Sequence, residues 1–370
     1  MSKLNELFER YGQSPWIDNI RRDWLLDGTL AHFVEQGVRG VTSNPAIFAK
    51  ALATSSAYDD AIRAAGALGA EELFEALAIG DVRDACDVLA GVYEASQAQF
   101  AAGLRRHADG FVSLEVSPHL AHDTEGTIAA ALRLWNEVNR PNLMIKIPAT
   151  LEGLPAVREV LSHGVNVNVT LIFSVDRYAD VLGAWAGGLH AAREAGYDLS
   201  RVASVASFFV SRVDAAVDAL LPEGDPRRGT TANAQVALAY DTYLRLTSSS
   251  EVATLLNAGA QVQRPLWAST STKNPLYDDL LYVNPLVAPE TVNTMPDATL
   301  LAALDHGNFD VSVLATSGPR ASELARLEEL PEEISLAAVT ATLERDGVEA
   351  FVRSYDEVLA TVVATQARVG

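Results

Sequence analysis

Short apolar runs of four to nine residues alternate with longer alanine-rich stretches from Trp16 to Ala258 and beyond, and this alternation constrains the fold more than any other feature. Apolar runs bounded by turn residues read as strands, and the stretches between them as amphipathic helices, so the chain reads as repeated βα units with a parallel sheet. The candidate strands are Trp16–Ile20, Val38–Thr42, Gly110–Val116, Leu143–Pro148, Val165–Phe173, Val202–Phe209, Arg264–Ser271 and Leu281–Asn284. Helix candidates between them include Ala85–Leu104, Thr127–Asn139, Asp176–Glu194, Val213–Leu220, Thr231–Thr247 and Glu251–Ala258. Eight strands with intervening helices point to a closed (β/α)8 TIM barrel of the α/β class.

Two regions exceed the repeat. Residues 50–109 lie between strands two and three and read as a helical insertion. Residues 297–370 read as a helical extension, with a mixed loop at Ala315–Arg320, that packs outside the barrel. No linker or internal repeat divides the chain, so residues 1–370 are expected to form a single elaborated domain.

Charge narrows the function. Lys and Arg number 28 against 48 Asp and Glu, a formal net charge of −20, which repels phosphate backbones and anionic headgroups. Neither a nucleic-acid partner nor a membrane surface is expected. The first residues lack the apolar run of a secretory signal, and no window is long and apolar enough to span a bilayer. The single cysteine, Cys86, allows no internal disulfide and suits a reducing compartment, so a soluble cytoplasmic protein is expected.

Side chains along a strand alternate faces. In 165–171 the row Val165, Val167, Val169, Leu171 is apolar, whereas Asn166, Asn168 and Thr170 form the other row. In 111–118 the polar row contains Ser113, Glu115 and Ser117. In 143–148 it contains Met144, Lys146 and Pro148. For one strand alone, this is the ordinary pattern of an antiparallel strand with a solvent face. Parallel strands wrapped in helices have no solvent face, so the polar row must be hydrogen-bonded or functional. Glu115, Lys146, Asn168 and Thr170 then converge inside the barrel. Burial disfavours the charged ammonium, which is how a lysine comes to act as an amine nucleophile toward a carbonyl.

The stretches GVTSNPAIF (40–48), NLMIKIP (142–148) with Glu152 and Gly153, NVNVTLIFS (166–174), ASFFVSRVD (206–214) and WASTSTKNP (267–275) together resemble the transaldolase family. The segment TVNTMP (291–296) is similar to the longer bacterial branch. The resemblance implies a cofactor-free (β/α)8 transferase of the pentose phosphate pathway. Such an enzyme moves a dihydroxyacetone unit between sugar phosphates through a lysine Schiff base. It implies Lys146 as the Schiff-base lysine, Asp18 as the base of strand one, and Glu115 with Thr170 as holders of a catalytic water. Asn44 and Asn168 would bind sugar hydroxyls, with Ser207, Phe209 and Arg212 from the strand-six motif completing the substrate site. The short branch carries an arginine after strand seven. Here the segment reads Ala268 to Asn274 with an extra residue, so Lys273, aided by Ser269, takes that phosphate role.

Other signals are weaker. His119 and His122 lack a third ligand and the H-E-x-x-H order, so no metal is expected. The segment Gly224–Thr231 resembles a phosphate loop without its lysine, and no G-x-G-x-x-G follows a strand, so no dinucleotide is expected either. Cys86 reads as an inert packed thiol. The nearest rival is a Schiff-base fructose 6-phosphate aldolase, which releases free dihydroxyacetone. Those relatives are shorter and carry tyrosine where this chain has Phe209. A metal-dependent aldolase and a catalytically silent sugar-phosphate-binding barrel are further rivals; a pure binder has no need of a desolvated amine. The expected partners are sugar phosphates, and the chain is expected to act as a monomer or homodimer.

Overall fold

A computed structural model describes residues 1–66, 68–312, 314 and 326–369. Its centre is a closed barrel of eight parallel strands in sequence order: β1 (Ser14–Ile17), β2 (Gly40–Val41), β3 (Phe111–Glu115), β4 (Leu143–Pro148), β5 (Val167–Ile172), β6 (Ser204–Phe209), β7 (Arg264–Ala268) and β8 (Val292–Met295). β8 closes on β1 with Trp16 opposite Thr294 and Ile17 opposite Met295. The expected (β/α)8 barrel is therefore the fold.

Seven strands lie where the apolar runs place them, and the eighth does not. Leu281–Asn284 is a turn leading into the 3-10 turn Asn284–Leu286, because Pro285 has no N–H to give a ladder and restrains the residue before it. β8 is instead Val292–Met295, inside the TVNTMP segment. β2 is only two residues long. Gly40 is required there: the Trp16 indole lies against its backbone, and a Cβ would stand 2.3 Å from Trp16 Cε2. β5 departs from simple alternation at its end. Its register with β6 shifts between Val169 and Ile172, and Leu171 takes φ 59°, a left-handed conformation uncommon for leucine.

Helices fill the crossovers. Between β2 and β3 lie Pro45–Thr54, Asp59–Ala65, Ala70–Val88 and Ala90–Ala101, so the expected helix 85–104 is two helices broken at Leu89. Helix Thr124–Val138 is started by Asp123, whose carboxylate accepts from the Gly126 N–H, and Val175–Glu194 by Ser174 in the same way. No helix among the described residues is long and apolar enough to cross a membrane. The loop expected at 315–320 lies outside the described residues.

The last helix among the described residues is Leu336–Val369. It lies across the C-terminal ends of the strands, where Ala350, Phe351 and Ser354 line the same cavity as Lys146. Ion pairs Arg177–Glu344 (3.3 Å) and Arg368–Asp59 (2.7 Å) tie its two halves to the helical ring.

Candidate active site

Because all strands are parallel, their C-terminal ends gather on one face, where the loops of such barrels carry chemistry. A cavity of about 530 Å³ opens there. Lys146 rises into it from the inward row of β4 and is only 4% exposed. Parallel pairing sets Glu115 of β3 opposite Lys146, and Lys146 opposite Asn168 of β5, so the three residues share one layer. Lys146 Nζ donates to the Ser43 carbonyl (3.1 Å) and lies 3.5 Å from Glu115 Oε2. The ring centroid of Phe351 is 5.6 Å away.

Burial pushes the Glu115 carboxyl up to about 7, against the pull of Lys146. Glu115 Oε2 and Thr170 Oγ1 are both buried with no hydrogen-bond partner among the described residues. Two orphaned acceptors near one amine suit a bound water or a substrate hydroxyl. Asp18 stands one residue past β1. Its carboxylate accepts from Thr42 Oγ1 (2.6 Å), and that hydroxyl is also 2.7 Å from Thr294 Oγ1. Burial raises the Asp18 pKa, with Lys146 opposing, so it binds a proton more readily than an exposed aspartate.

The two amides are placed differently. Asn44 caps helix Pro45–Thr54, its Oδ1 accepting from the Ile47 N–H, and it lines the cavity. Asn168 does not line it. Its Nδ2 donates to Ser113 Oγ (3.0 Å), and its Oδ1 accepts from Ser207 Oγ (2.7 Å), so it braces Ser207 from beneath.

The rim is cationic. Arg212 lies in the first turn of helix Ser211–Asp218, with its guanidinium 5.4 Å from the Phe209 ring centroid. Among the described residues it has no carboxylate partner. Asp214, the obvious candidate, instead accepts from Tyr282 Oη and the Ala232 N–H (2.8 Å each). Lys273 reaches the same cavity, and its Nζ donates to Ser271 Oγ (2.9 Å). Burial and the nearby Arg212 both lower its pKa. Ser269 adopts φ 56° just past β7, with its hydroxyl 3.0 Å from Ser211 Oγ. Two cations with spare donors and adjacent hydroxyls form a cradle suited to an anion.

Nine of the eleven residues expected from sequence line this cavity: Asp18, Asn44, Lys146, Thr170, Ser207, Phe209, Arg212, Ser269 and Lys273. Glu115 touches Lys146 from the side, and Asn168 lies below. Sequence reading overlooked Thr42 and Thr294, although both sit inside recognised motifs. It also overlooked Lys50 and Phe351, which line the cavity from helices where nothing in the local pattern singles them out.

The set-aside signals have structural explanations. His119 pairs with Asp356 (3.0 Å) and His122 with Glu152 (3.1 Å) at the surface. Among the described residues no group of three or more His, Cys, Asp or Glu could hold a metal ion. Cys86 is buried, and burial raises its thiol pKa. In the Gly224–Thr231 segment, Arg228 donates to the Asp218 and Leu221 carbonyls, and Asp218 accepts from the Gly229 N–H. That loop is held by its own turns.

Known proteins resemble this chain over most of its length. Residues 15–362 match the family model described as transaldolase/fructose-6-phosphate aldolase. A transaldolase of Saccharopolyspora erythraea is 48% identical over 358 residues, covering 95% of this chain and 94% of its own length. A transaldolase of Thermobifida fusca is 49% identical over 367 residues, covering 97% and 96%. One of Mycolicibacterium smegmatis is 47% identical over 357 residues, covering 94% and 93%.

Proposed function

The chain belongs to the transaldolase/fructose-6-phosphate aldolase family, and from that premise we propose that it is a transaldolase, a transferase that moves a dihydroxyacetone unit between sugar phosphates. In the forward sense, sedoheptulose 7-phosphate and glyceraldehyde 3-phosphate give erythrose 4-phosphate and fructose 6-phosphate. The single observation that best supports the chemistry is the Lys146 amine, buried at the cavity floor beside Glu115 and within electrostatic reach of Asp18, which lines the same cavity.

Lys146 attacks the ketose carbonyl to give a carbinolamine. Glu115, protonated for part of the time near neutrality, relays a proton through a water shared with Thr170 to the departing hydroxyl, and the iminium forms. Asp18 then takes the proton of the hydroxyl on the carbon to be released. The C–C bond breaks, the aldehyde leaves, and its electron pair is held on Lys146 as an enamine. An incoming aldehyde adds to the enamine carbon, and the same steps run backward to free the new ketose. Arg212 and Lys273 hold the phosphate at the rim, while Asn44 and Ser207 hold sugar hydroxyls.

Transfer is favoured over the aldolase reading by the full-length likeness to proteins named transaldolase and by the hydroxyl-free ring of Phe209 at the cavity wall. Borohydride reduces an iminium but not an amine. Added with fructose 6-phosphate, it should inactivate the protein and leave a reduced three-carbon unit on Lys146, located by peptide mass mapping. Label on another lysine, or none at all, removes the central assignment.

A further inference from the structure

The apolar wall around Lys146 is built from two directions. From the barrel, Phe209 at the end of β6 lines the cavity, and Phe173 just past β5 backs it with ring centroids 5.1 Å apart. From above, helix Leu336–Val369 sets Phe351, 7% exposed, over the Lys146 amine. The helix is held at that height one turn to either side. At Gly347 a Cβ would stand 3.2 Å from Leu171 Cδ2 and 3.4 Å from Phe173 Cε2, so the helix rests close on the end of β5. At Tyr355 the hydroxyl donates to Glu71 Oε1 (3.2 Å), and the ring packs edge-on against Phe74 and His119. The left-handed turn at Leu171 lets that side chain meet the helix.

A transferase holds its intermediate as an enamine on the lysine, and the enamine carbon accepts either an aldehyde or a proton. A proton there gives the iminium of dihydroxyacetone. Water then adds to the iminium carbon and the C–N bond breaks. The water oxygen becomes the carbonyl oxygen, its hydrogens finish on the lysine ammonium, and dihydroxyacetone is lost. Excluding solvent from the face of the Schiff base suppresses both steps. An aromatic face also attracts the cationic iminium.

We propose that Phe351 determines transfer over release in this chain: its ring roofs the Schiff base and keeps solvent from the enamine until an aldehyde arrives. The proposal rests on the transaldolase reading and on Lys146 as its Schiff-base lysine. It assigns to the C-terminal helix a part in partitioning the intermediate, with Phe351 as the residue that acts.

The test is the ratio of acceptor-free dihydroxyacetone release from fructose 6-phosphate to transfer onto erythrose 4-phosphate, measured on the full chain. Phe351→Ala opens the roof, and Phe351→Gln replaces it with a polar side chain nearer leucine than alanine in size; each should raise the ratio roughly tenfold or more. Phe351→Leu keeps an apolar cover and should stay within about threefold of native. Val362→Ala removes packing from a fully buried position on the same helix, away from the cavity, and should leave the ratio within about twofold. Thermal melts establish which variants fold; if the alanine variant does not, the glutamine and leucine pair decides. Equal ratios in the native, glutamine and leucine proteins overturn the proposal. So does a rise with Val362→Ala as large as that with Phe351→Gln, since loosening the helix would then suffice. Failure of the underlying reading looks different, because the native protein would itself release dihydroxyacetone at full rate without an acceptor.

Discussion

Glu115 and Lys146 face each other because parallel pairing of β3 and β4 puts them in register, and their adjacency governs how the site responds to pH. Burial holds the Glu115 carboxyl at about 7, above its ordinary 4.5. The fold therefore favours the neutral form. That contribution is complete below about pH 4.5 and disappears as pH rises through 7. Glu115→Gln, neutral at every pH, should match native stability near pH 5 and exceed it above pH 8, by on the order of 1–3 kcal/mol in urea titrations. Its catalysis should move the other way. Native kcat/KM should fall on the alkaline side with an inflection near 7, and the glutamine variant should show a flat profile roughly 100-fold lower or more. Arg212 offers a separate test, because among the described residues no carboxylate forms a close ion pair with it, and Asp18 acts on it only at longer range. Arg212→Ala should raise KM for phosphorylated sugars by roughly 10- to 100-fold while barely changing any weak reaction with unphosphorylated dihydroxyacetone donors. Equal loss on both substrate types would make Arg212 structural and leave the phosphate to Lys273.

Elements that are long and cleanly alternating were readable in the sequence, and short or irregular ones were not. β3, β4 and β5 carry five or six residues each, with apolar and polar rows that separate by face, so Glu115, Lys146 and Thr170 could be aimed inward from the pattern alone. β8 has four residues, two of them the polar Asn293 and Thr294, and the more apolar Leu281–Asn284 run outweighed it. The turn at Leu171 is a backbone angle that leaves no mark in composition. Phe351 is one apolar residue in a helix that needs an apolar face anyway, and only the tertiary fold brings it over Lys146, 205 positions earlier. At the opposite end of the barrel, a buried network ties strand starts together. Asp109 pairs with Arg264 of β7 (3.1 Å) and Arg39 before β2 (3.0 Å), and accepts from Ser14 and the Trp16 indole of β1. Burial alone would raise its pKa, but the two guanidiniums outweigh it and hold the carboxyl at about 2, below its ordinary 3.8. The stability it contributes is present above about pH 3.8 and lost as pH falls through 2. Asp109→Asn should cost about 3–5 kcal/mol at pH 7 by leaving buried arginines unpaired. The gap to native should narrow below pH 4, and kcat of the folded protein should stay within about twofold. A large kcat loss in protein that melts normally would place this network in the chemistry instead.

At the scale of the whole molecule, a net charge of −20 surrounds a mouth whose own cations are Lys50, Arg212 and Lys273. The field far from the surface opposes an anionic sugar phosphate, whereas the last few ångströms attract it, so the rim cations act at contact range. The order of residues along the chain adds a dimension of time. Lys146 is synthesised well before β8 closes the barrel against β1 and before Phe351 can cover it. At ordinary translation rates the interval between the lysine and its roof is roughly 10–40 s. Until residue 295 is made the growing polypeptide has a strand edge at β1 without its final neighbour, and until residue 351 it has an amine without its cover. Each ribosome making this protein must therefore carry an unfinished barrel past residue 295 before the edge can be paired.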